Sequence, residues 1–477
     1  MRAWWTAIGL GVLLLAGLPT GALPVRAQPG VRSPAATGTG GGTAAPTAGT
    51  AALYTNPAFL TAGADAPRVT ATLFRVTAVS GGDLLQFDPY RALFLRRGRR
   101  PLSDAEEAAV LDDWFGGETR STTAAAAVVP VALTYRAPSG RWAVGGAVRG
   151  RVVQHTAMDQ GALDLLLRGT GPDRVVPING RTRLYGLLDL TGAVSYRVGA
   201  GPLSVGVAPR LLLGTGYADG VLRSEAVVMD GTLIHRFDYR ARAAGALSTG
   251  LYDTFDAFGP TPLRRVLGTT PRIVGVGGGL DVGLSYALRP GLHVSASVTD
   301  LGRVRWTGAA QTVRPTTDTF RFEGLSLDPA RLSDDFDGDV AAYAVHQVDS
   351  LARAAYRDVT RERAPFRTGL PTTAHLQGTW AAGPVVVTGG GTLGLNPAAG
   401  APRALTLHLG GEVRLGPVPL RVGVRGGQGQ ALSVAGGLGL AVGGVRLDVG
   451  GSVTPRSALL GAGARYAAGV SLGWVRR

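Results

Sequence analysis

The sequence contains no cysteine among its 477 residues, which excludes disulfides, thiolate metal sites and a cysteine nucleophile. It also contains no lysine, so all 48 basic residues are arginine, and the formal net charge is +15. Genomic composition is one explanation of this arginine usage, and a preference for anions, acidic lipid headgroups or acidic partners is the other. Since no compact module of arginine and aromatic residues is present, binding to nucleic acid is not expected.

Long apolar runs are scarce as well. The run over residues 8–18 is shorter than the roughly 20 residues that a membrane-spanning helix needs. Arg2 precedes this run, and Val25-Arg26-Ala27 follows it as a small-x-small cleavage site. These features predict a signal peptide over residues 1–27, with a transmembrane anchor as the alternative. The mature protein is then expected to be exported from the cytoplasm.

Glycine, in contrast, is abundant, with 73 residues, and residues of alternating character surround it. In the stretch 272–306, apolar residues such as Leu284 alternate with small or polar ones such as Ser285 on both sides of a Pro-Gly turn at residues 289–291. A period of two predicts a strand, and two such runs around a tight turn predict a hairpin. Long repeated hairpins with one apolar and one polar face are typical of transmembrane β-barrels.

Hairpins of this kind continue to the C-terminus, and their connections alternate in length. We predict an all-β fold, a transmembrane antiparallel up-and-down barrel of about 14 strands, within a range of 12 to 16. Bacterial barrels have an even strand number, short periplasmic turns and long outer loops. The predicted short turns lie at 137–141, 198–202, 287–291, 381–384 and 416–419, and the long excursions at 80–126, 152–181, 218–270 and 307–370.

The sequence divides into a signal peptide and three further parts. Residues 28–51 are a low-complexity segment expected to be flexible. Residues 52–67 contain Asn56, Pro57 and Ala58, where Asn-Pro starts a turn between apolar residues; this segment is either a hatch inside the lumen or an ordinary periplasmic turn. Residues 68–477 are the predicted barrel.

Two of the outer excursions carry predicted helices, over residues 102–115 and 339–359. Ser103 and Glu106 form a capping box at the start of the first helix. A hairpin around Asp230-Gly231, a favoured two-residue turn, is predicted to protrude from the membrane.

Several charged residues lie on the polar faces of predicted strands. Because a charge facing lipid costs about 2–4 kcal/mol near the bilayer midplane, these side chains are predicted to face the lumen or the rims. They either pair with one another and fill the interior, or line a selective anion pathway. The lumen-facing candidates are Arg149, Arg151, Arg183, Asp189, Arg210, Asp281, Glu412, Arg421 and Arg425, with Arg197 and Arg414 on the same faces.

Three short motifs carry a family resemblance. They are Asn56-Pro57-Ala58 before the first strand, the central hairpin with Gly279-Leu280-Asp281-Val282-Gly283 and Asp300-Leu301-Gly302, and Gly369-Leu370-Pro371 after the large insertion. Together they resemble an uncharacterised family of bacterial outer-membrane proteins. More distantly, the chain is similar to the long-chain fatty-acid transporter barrels and to the outer-membrane barrel of the type IX secretion system. The resemblance implies a barrel of about 14 strands with an N-terminal segment in the lumen, and it implies no substrate.

Catalytic and metal-binding patterns are scarce. The six histidines are scattered, and no P-loop, G-x-S-x-G or H-E-x-x-H motif occurs. We therefore predict no enzyme, no cofactor and no metal site. The acidic run at 334–339 partly resembles a calcium loop but lacks the final glutamate, with Ala344 in that place; it is alternatively an acidic helix start.

The leading hypothesis is an outer-membrane barrel that transports or gates a small molecule, a hydrophobic one included. The alternative is a non-transporting barrel for surface binding, secretion or assembly. The expected partners are outer-membrane lipid, the barrel assembly machinery, a small-molecule ligand and a secretion or surface protein.

Overall fold

The structure is a computed structural model. It describes residues 32–43, 49–63, 67–84, 102–169, 174–229, 232–248, 272–322, 333, 346, 359–396, 405–427, 430–454 and 465–476. Within these residues the strands form one antiparallel sheet that closes on itself, because the first strand pairs with the last from Val69 opposite Arg476 to Gly81 opposite Arg465. The fold is a closed barrel of 14 antiparallel strands, which confirms the predicted fold class and strand number.

Nineteen strands occur in the described part of the chain. Fourteen of them, β1–β5, β7, β8 and β13–β19, form the barrel, and the other five lie at the end of the barrel with the long connections. The strands are β1 (Val69–Gly82), β2 (Arg120–Arg136), β3 (Trp142–Met158), β4 (Val176–Arg197), β5 (Leu203–Met229), β6 (Thr232–Ala244), β7 (Gly275–Arg289), β8 (Leu292–Trp306), β9 (Gln311–Pro315), β10 (Thr319–Phe322), β11 (Val359–Glu362), β12 (Phe366–Gly369), β13 (Thr373–Ala382), β14 (Val385–Gly394), β15 (Thr406–Leu415), β16 (Val418–Gly427), β17 (Gln430–Val442), β18 (Val445–Thr454) and β19 (Arg465–Arg476).

The two faces of the wall differ in composition, as the alternation of the sequence predicts. In the hairpin of β7 and β8, Leu284 is 50% exposed on the outer face, whereas its neighbour Ser285 is buried on the inner face. The same holds for Val294 outside and Ser295 inside. Successive side chains of a strand point to opposite faces, so the wall has an apolar exterior and a lumen lined by small and polar residues.

The barrel wall is taller on one side. β5 has 27 residues, whereas β15 has 10. The last part of β5 pairs with β6 from Met229 opposite Thr232, so the protruding hairpin is confirmed, although its turn at 230–231 lies outside the described residues. β6 pairs in turn with β9 and β10, and β9 pairs with β11, so a small outer sheet extends beyond the barrel rim.

Two helices pack beside this rim. The helix predicted over 102–115 is α2 (Asp104–Trp114), and Ser103 and Glu106 form the expected capping box. A second helix, α3 (Gly161–Arg168), was not predicted, because eight residues are too few for a clear helical period. Both helices contribute to an apolar cluster around Trp114 and Phe115.

The helix predicted near 339–359 lies outside the described residues, apart from His346 and Val359. Val359 is the first residue of strand β11 rather than the last residue of a helix. The acidic run at 334–339 also lies outside them. No helix in the part of the chain that the structure describes is long and apolar enough to cross a membrane.

The chain before β1 is folded inside the barrel over residues 32–43 and 49–63, which we call the lumenal segment. It contains α1 (Pro34–Gly38) and two 3-10 helices, Gly49–Tyr54 and Pro57–Leu60. Residues 34–38 and 49–51 of the segment expected to be flexible thus lie in short helices, and the flexibility of residues 28–51 stays a prediction. Their low-complexity sequence folds because small side chains fit closely against the inner wall, a tertiary effect that local propensity does not show.

Candidate functional site

The Asn56-Pro57-Ala58 turn is anchored to the inner wall by hydrogen bonds. Asn56 Nδ2 donates to the carbonyl oxygens of Leu284 and Ala296 at 3.0 and 3.3 Å, and Asn56 Oδ1 accepts from the backbone N–H of Ala58 at 3.0 Å. Since Leu284 and Ala296 face each other in β7 and β8, one side chain ties the turn to two neighbouring strands.

Glycines of the wall make room for this turn. A Cβ on Gly206 of β5 would clash with the backbone of Pro57 and Ala58, and one on Gly283 of β7 would clash with Asn56. Ala58 is fully buried. The turn therefore occupies the space above Gly206 and Gly283, which a larger side chain at either position would fill.

The first part of the lumenal segment lies on a similar glycine surface. Gly410 and Gly423 face each other across β15 and β16, and a Cβ on either would clash with the backbone of Thr39. Gly450 of β18 gives the same room to Pro34. Part of the high glycine content thus serves close approach of one backbone to another across the lumen.

A network of three arginines and three aspartates lies in the lumen along strands β3, β4, β5, β7 and β8. Arg149 Nε donates to Asp189 at 2.9 Å, and Arg151 Nε lies 3.2 Å from the same carboxylate. Arg151 Nη2 lies 3.0 Å from Asp300 Oδ1. The network is electrically balanced, as buried charges require if they are to remain ionised at low cost.

Arg210 completes this network. Its guanidinium forms an ion pair with Asp281 and lies 2.8 Å from Asp300 Oδ1. Asp300 enters the lumen through a bulge in which β8 has one more residue than β7, and its φ is +56°. A bulge redirects a side chain, and aspartate tolerates this left-handed backbone. From the lumenal segment, the ring of Tyr54 lies 4.4 Å from the guanidinium of Arg149, an attractive cation–π contact.

A second charged group lies near the short turns. Arg421 binds Glu412 at 2.8 Å and Asp448 at 2.7 Å. Arg414 and Arg446 pair with the same two carboxylates, each at 2.8 Å. Three arginines thus meet two acids, and the guanidinium of Arg421 is completely buried between them.

A third group lies toward the outer sheet. Asp219 of β5 faces Arg183 of β4 in the ladder, and its carboxylate accepts from Arg183 at 3.4 Å, from Arg181 at 3.1 Å and from Arg242 at 3.2 Å. This group holds one acid against three arginines.

Arg425 differs from all of these arginines. It faces the lumen on β16, directly opposite His408 of β15. Among the residues that the structure describes, its guanidinium forms neither an ion pair nor a hydrogen bond, whereas every other lumen-facing candidate has an oppositely charged partner.

Two cavities lie on either side of the lumenal segment. The larger, about 1240 Å³, opens toward the short turns and is lined by Ala36, Thr39, Glu412 and Arg421. The smaller, about 170 Å³, lies deeper in the lumen. Tyr54, Asn56, Arg149, Arg151, Asp300, His408 and Arg425 line it. Residues of the lumenal segment line both cavities, so this segment separates them.

Two titratable side chains outside the barrel wall are shifted by burial. Burial lowers the pKa of His235 on β6 to about 4. Burial also raises the pKa of Asp159, although hydrogen bonds from Asn179 and Gly161 oppose the shift. Within the described residues, no group of three or more His, Cys, Asp or Glu side chains could hold a metal ion.

The structure thus places the nine lumen-facing candidates on the inner wall, with eight of them in the three ionic groups and Arg425 outside these groups. It places Asn56, Pro57 and Ala58 inside the lumen. Sequence reasoning missed Asp300, Asp219 and Asp448 as ionic partners. For Asp300 a signal was present in the sequence, since the motif Asp300-Leu301-Gly302 breaks the strand alternation.

The fold defines the class of the protein as a 14-strand barrel whose N-terminal segment occupies its lumen. A family model described as a family of unknown function (DUF5723) matches residues 119–414. This is more than half of the chain, and the chain belongs to that family. No curated protein matches the sequence.

Solved structures similar to the chain include a hydrocarbon channel, a toluene transporter and a FadL homologue. A deltaS2S3 mutant of the TodX monoaromatic hydrocarbon channel has a TM-score of 0.51 and 13% identity, over 93% of this chain and 98% of that one. A Pseudomonas aeruginosa FadL homologue has a TM-score of 0.49 and 13% identity over 94% and 98%. The Pseudomonas putida toluene transporter TodX has a TM-score of 0.47 and 11% identity over 96% and 100%.

At these identities the first match shows the fold alone, that of a hydrocarbon-channel barrel. The predicted likeness to transporter barrels is confirmed in part, at the level of fold. The likeness to the type IX secretion barrel remains a prediction.

Proposed function

We propose that the protein is an outer-membrane barrel that gates the passage of a small hydrophobic molecule, with the lumenal segment as its hatch. The observation that carries the proposal is the position of residues 32–43 and 49–63 between the two lumenal cavities. Movement of this segment alone would join the cavities, because residues of both are otherwise part of the wall.

The outer surface supports the membrane location. Large apolar side chains are exposed along the barrel strands, such as Leu407 and Leu409 on β15 and Val422 on β16. In water such a continuous apolar band would be unfavourable, and in a bilayer it faces acyl chains. The short turns then lie on the periplasmic side and the outer sheet on the cell surface.

An aromatic cavity at the outer end supports a hydrophobic cargo. It has a volume of about 180 Å³ and is lined by Tyr185, Leu187, Tyr217 and Trp306, with Arg183, Arg242 and Arg367 among its polar residues. The rings of Tyr217 and Trp306 lie 5.1 Å apart, and that of Phe366 lies 5.4 Å from Tyr217. Apolar walls with a few polar groups are typical of small-molecule sites. The similar structure with a TM-score of 0.51 is a monoaromatic hydrocarbon channel, which is consistent with the same class of cargo.

The test is passage through the refolded mature barrel in planar bilayers and liposomes, with toluene and small ions as solutes. A variant without residues 28–63 should admit both solutes at least ten times faster than the complete mature chain. If both forms leave the membranes sealed to every solute while remaining folded and heat-modifiable, the proposal is wrong.

A second candidate function is a surface binding, secretion or assembly barrel. The outer sheet of β6 and β9–β11 favours it, because this sheet extends beyond the rim and offers exposed strands to a partner. Extraction in mild detergent should then retain a stoichiometric protein partner, which removal of β6 would release. Recovery of the barrel alone would count against this function.

A further inference from the structure

The lumenal segment brings a second arginine to the unpaired Arg425. Arg32 Nη1 donates a hydrogen bond to the carbonyl oxygen of Gly41. The next residue, Gly42, lies against His408, since a Cβ on Gly42 would be 3.3 Å from His408 Cδ2. Arg32, His408 and Arg425 all line the 170 Å³ cavity. One residue of the segment and two of the wall therefore converge on the same space.

None of these three side chains has an acidic partner among the described residues. The Gly41 carbonyl is the one hydrogen-bond acceptor of Arg32 there, and Arg425 has none. His408 is only 8% exposed, yet its Nε2 atom has no hydrogen-bond partner. Arg75, which lines the cavity as well, bonds only to the hydroxyls of Thr50 and Thr72.

The carboxylate of Asp300 lines the same cavity but already pairs with Arg151 and Arg210, so a further negative charge would stabilise this arrangement. Guanidinium groups remain protonated in proteins, and enclosed like charges repel one another without compensation. A planar guanidinium offers paired N–H donors that match the oxygens of a carboxylate or phosphate. Donors from several directions around one small space are therefore suited to an oxyanion.

We propose that Arg32, His408 and Arg425 form a binding site for a small oxyanion, of the phosphate or carboxylate type, inside the barrel. The volume of about 170 Å³ accommodates such an ion with a few waters and is below the roughly 300 Å³ of a typical drug-sized ligand pocket. The oxyanion is either a free ion or the headgroup of an amphiphile whose tail lies elsewhere in the lumen.

The site would couple anion binding to the hatch. Arg32 belongs to the lumenal segment and Arg425 to the wall, so a bound oxyanion bridges the two and holds the segment closed. This consequence rests on the proposed gating function, whereas the binding itself does not. Binding without an effect on passage would leave the site valid and would count against the gating role.

The experiment is titration calorimetry on the refolded mature chain in non-ionic detergent, at constant ionic strength set with chloride. The probes are inorganic phosphate, acetate and laurate. The variants are Arg425→Gln, Arg32→Gln and His408→Gln. The matched control is Arg236→Gln on the exposed outer sheet, where Arg236 pairs with Glu225 at 2.8 Å. Heat-modifiable migration confirms that each variant is folded.

Saturable binding of at least one probe to the unmodified chain, weakened at least tenfold by Arg425→Gln and by Arg32→Gln but not by Arg236→Gln, supports the site. Phosphate or acetate binding identifies a free ion, and binding of laurate alone identifies the headgroup of an amphiphile. If no probe binds saturably, or if Arg236→Gln weakens binding as much as Arg425→Gln, the proposal is overturned. If one arginine variant fails to fold, His408→Gln replaces it, and we expect this variant to weaken binding as well.

Discussion

Two of the arginine groups in the lumen have opposite construction. Arg149, Arg151 and Arg210 are matched by three aspartates, so each guanidinium has a carboxylate within ion-pair distance. Arg32 and Arg425 stand near one another with no acid to neutralise them among the described residues. From the sequence, inward arginines either fill the lumen through ion pairs or line a path for anions; the first alternative describes the first group, and the second group has the composition of an anion site.

The difference shows that arginine alone does not define a function in such a lumen. The role of a lumenal arginine depends on whether a neighbouring strand places an aspartate within ion-pair distance of it. Asp189 lies directly across from Arg149 in the ladder of β3 and β4, whereas Arg425 has His408 in the equivalent place. A paired arginine stabilises the wall, and an unpaired one remains available to a ligand.

The largest effect should follow from breaking the paired group. Arg210→Gln leaves the buried carboxylates of Asp281 and Asp300 without this partner, and we expect a loss of about 3–5 kcal/mol in the free energy of unfolding. The measurement is urea unfolding of the barrel in lipid vesicles. Arg236→Gln, which removes an exposed ion pair, should cost no more than about 1 kcal/mol. Equal shifts for the two variants would show that the lumen screens the network as water does.

The next effect concerns the wall on which the lumenal segment lies. In Gly423→Val the new Cβ would be 2.5 Å from the Gly40 nitrogen, an overlap worth about 1–3 kcal/mol. Because the chain has no cysteine, Ala36→Cys serves as the only thiol, at a buried position. Labelling by a water-soluble maleimide should be about tenfold faster in the valine background.

The matched control for this labelling is Gly426→Val on the same strand. Its side chain would point to the outer face, where the nearest atom, Leu432 Cδ1, is at an ordinary 3.5 Å. Labelling rates that rise equally in both backgrounds would mean that valine disturbs β16 in general and not the contact between Gly423 and the lumenal segment.

A smaller effect, of opposite sign, is expected at the unpaired group. Arg425→Gln removes an enclosed charge that has no counter-charge, so in chloride buffer it should raise the free energy of unfolding by about 1–2 kcal/mol. Addition of phosphate should reduce this difference, because it stabilises the unmodified chain alone. A destabilisation comparable to that of Arg210→Gln would show that both arginine groups are held in the same way.

The contrast between the groups also marks what the sequence can predict. The alternation of apolar and polar residues, as at Leu284 and Ser285, is a local property of one strand, because it depends on which face of that strand meets lipid. The strands and the lumen-facing candidates can therefore be predicted from the pattern. The position of Asp300 depends on a bulge between β7 and β8, which is a property of their register. The pattern of one strand does not contain that register.

The wall surface on which the lumenal segment lies could not be predicted from the sequence for a similar reason. Gly423 appears in the sequence only as a small residue on an inner face. Its role depends on Thr39, which reaches it through the fold. The absence of an acid near Arg425 likewise depends on which strands are neighbours across the lumen, and no spacing along the chain encodes it.

The smallest effect should come from a buried base that can lose its charge, as arginine cannot. Burial lowers the pKa of His235 on β6 to about 4 from an ordinary 6.5, so its contribution to stability is complete above pH 6.5 and is lost as the pH falls toward 4. Between pH 8 and pH 6 the free energy of local unfolding of the outer sheet should fall by about 1 kcal/mol. Hydrogen exchange of β6 amides measures this loss, which His235→Gln should abolish and His293→Gln, at the opposite end of the barrel, should leave intact. Exchange that does not change with pH in the unmodified chain would show that His235 is solvated in the folded protein and would contradict the prediction.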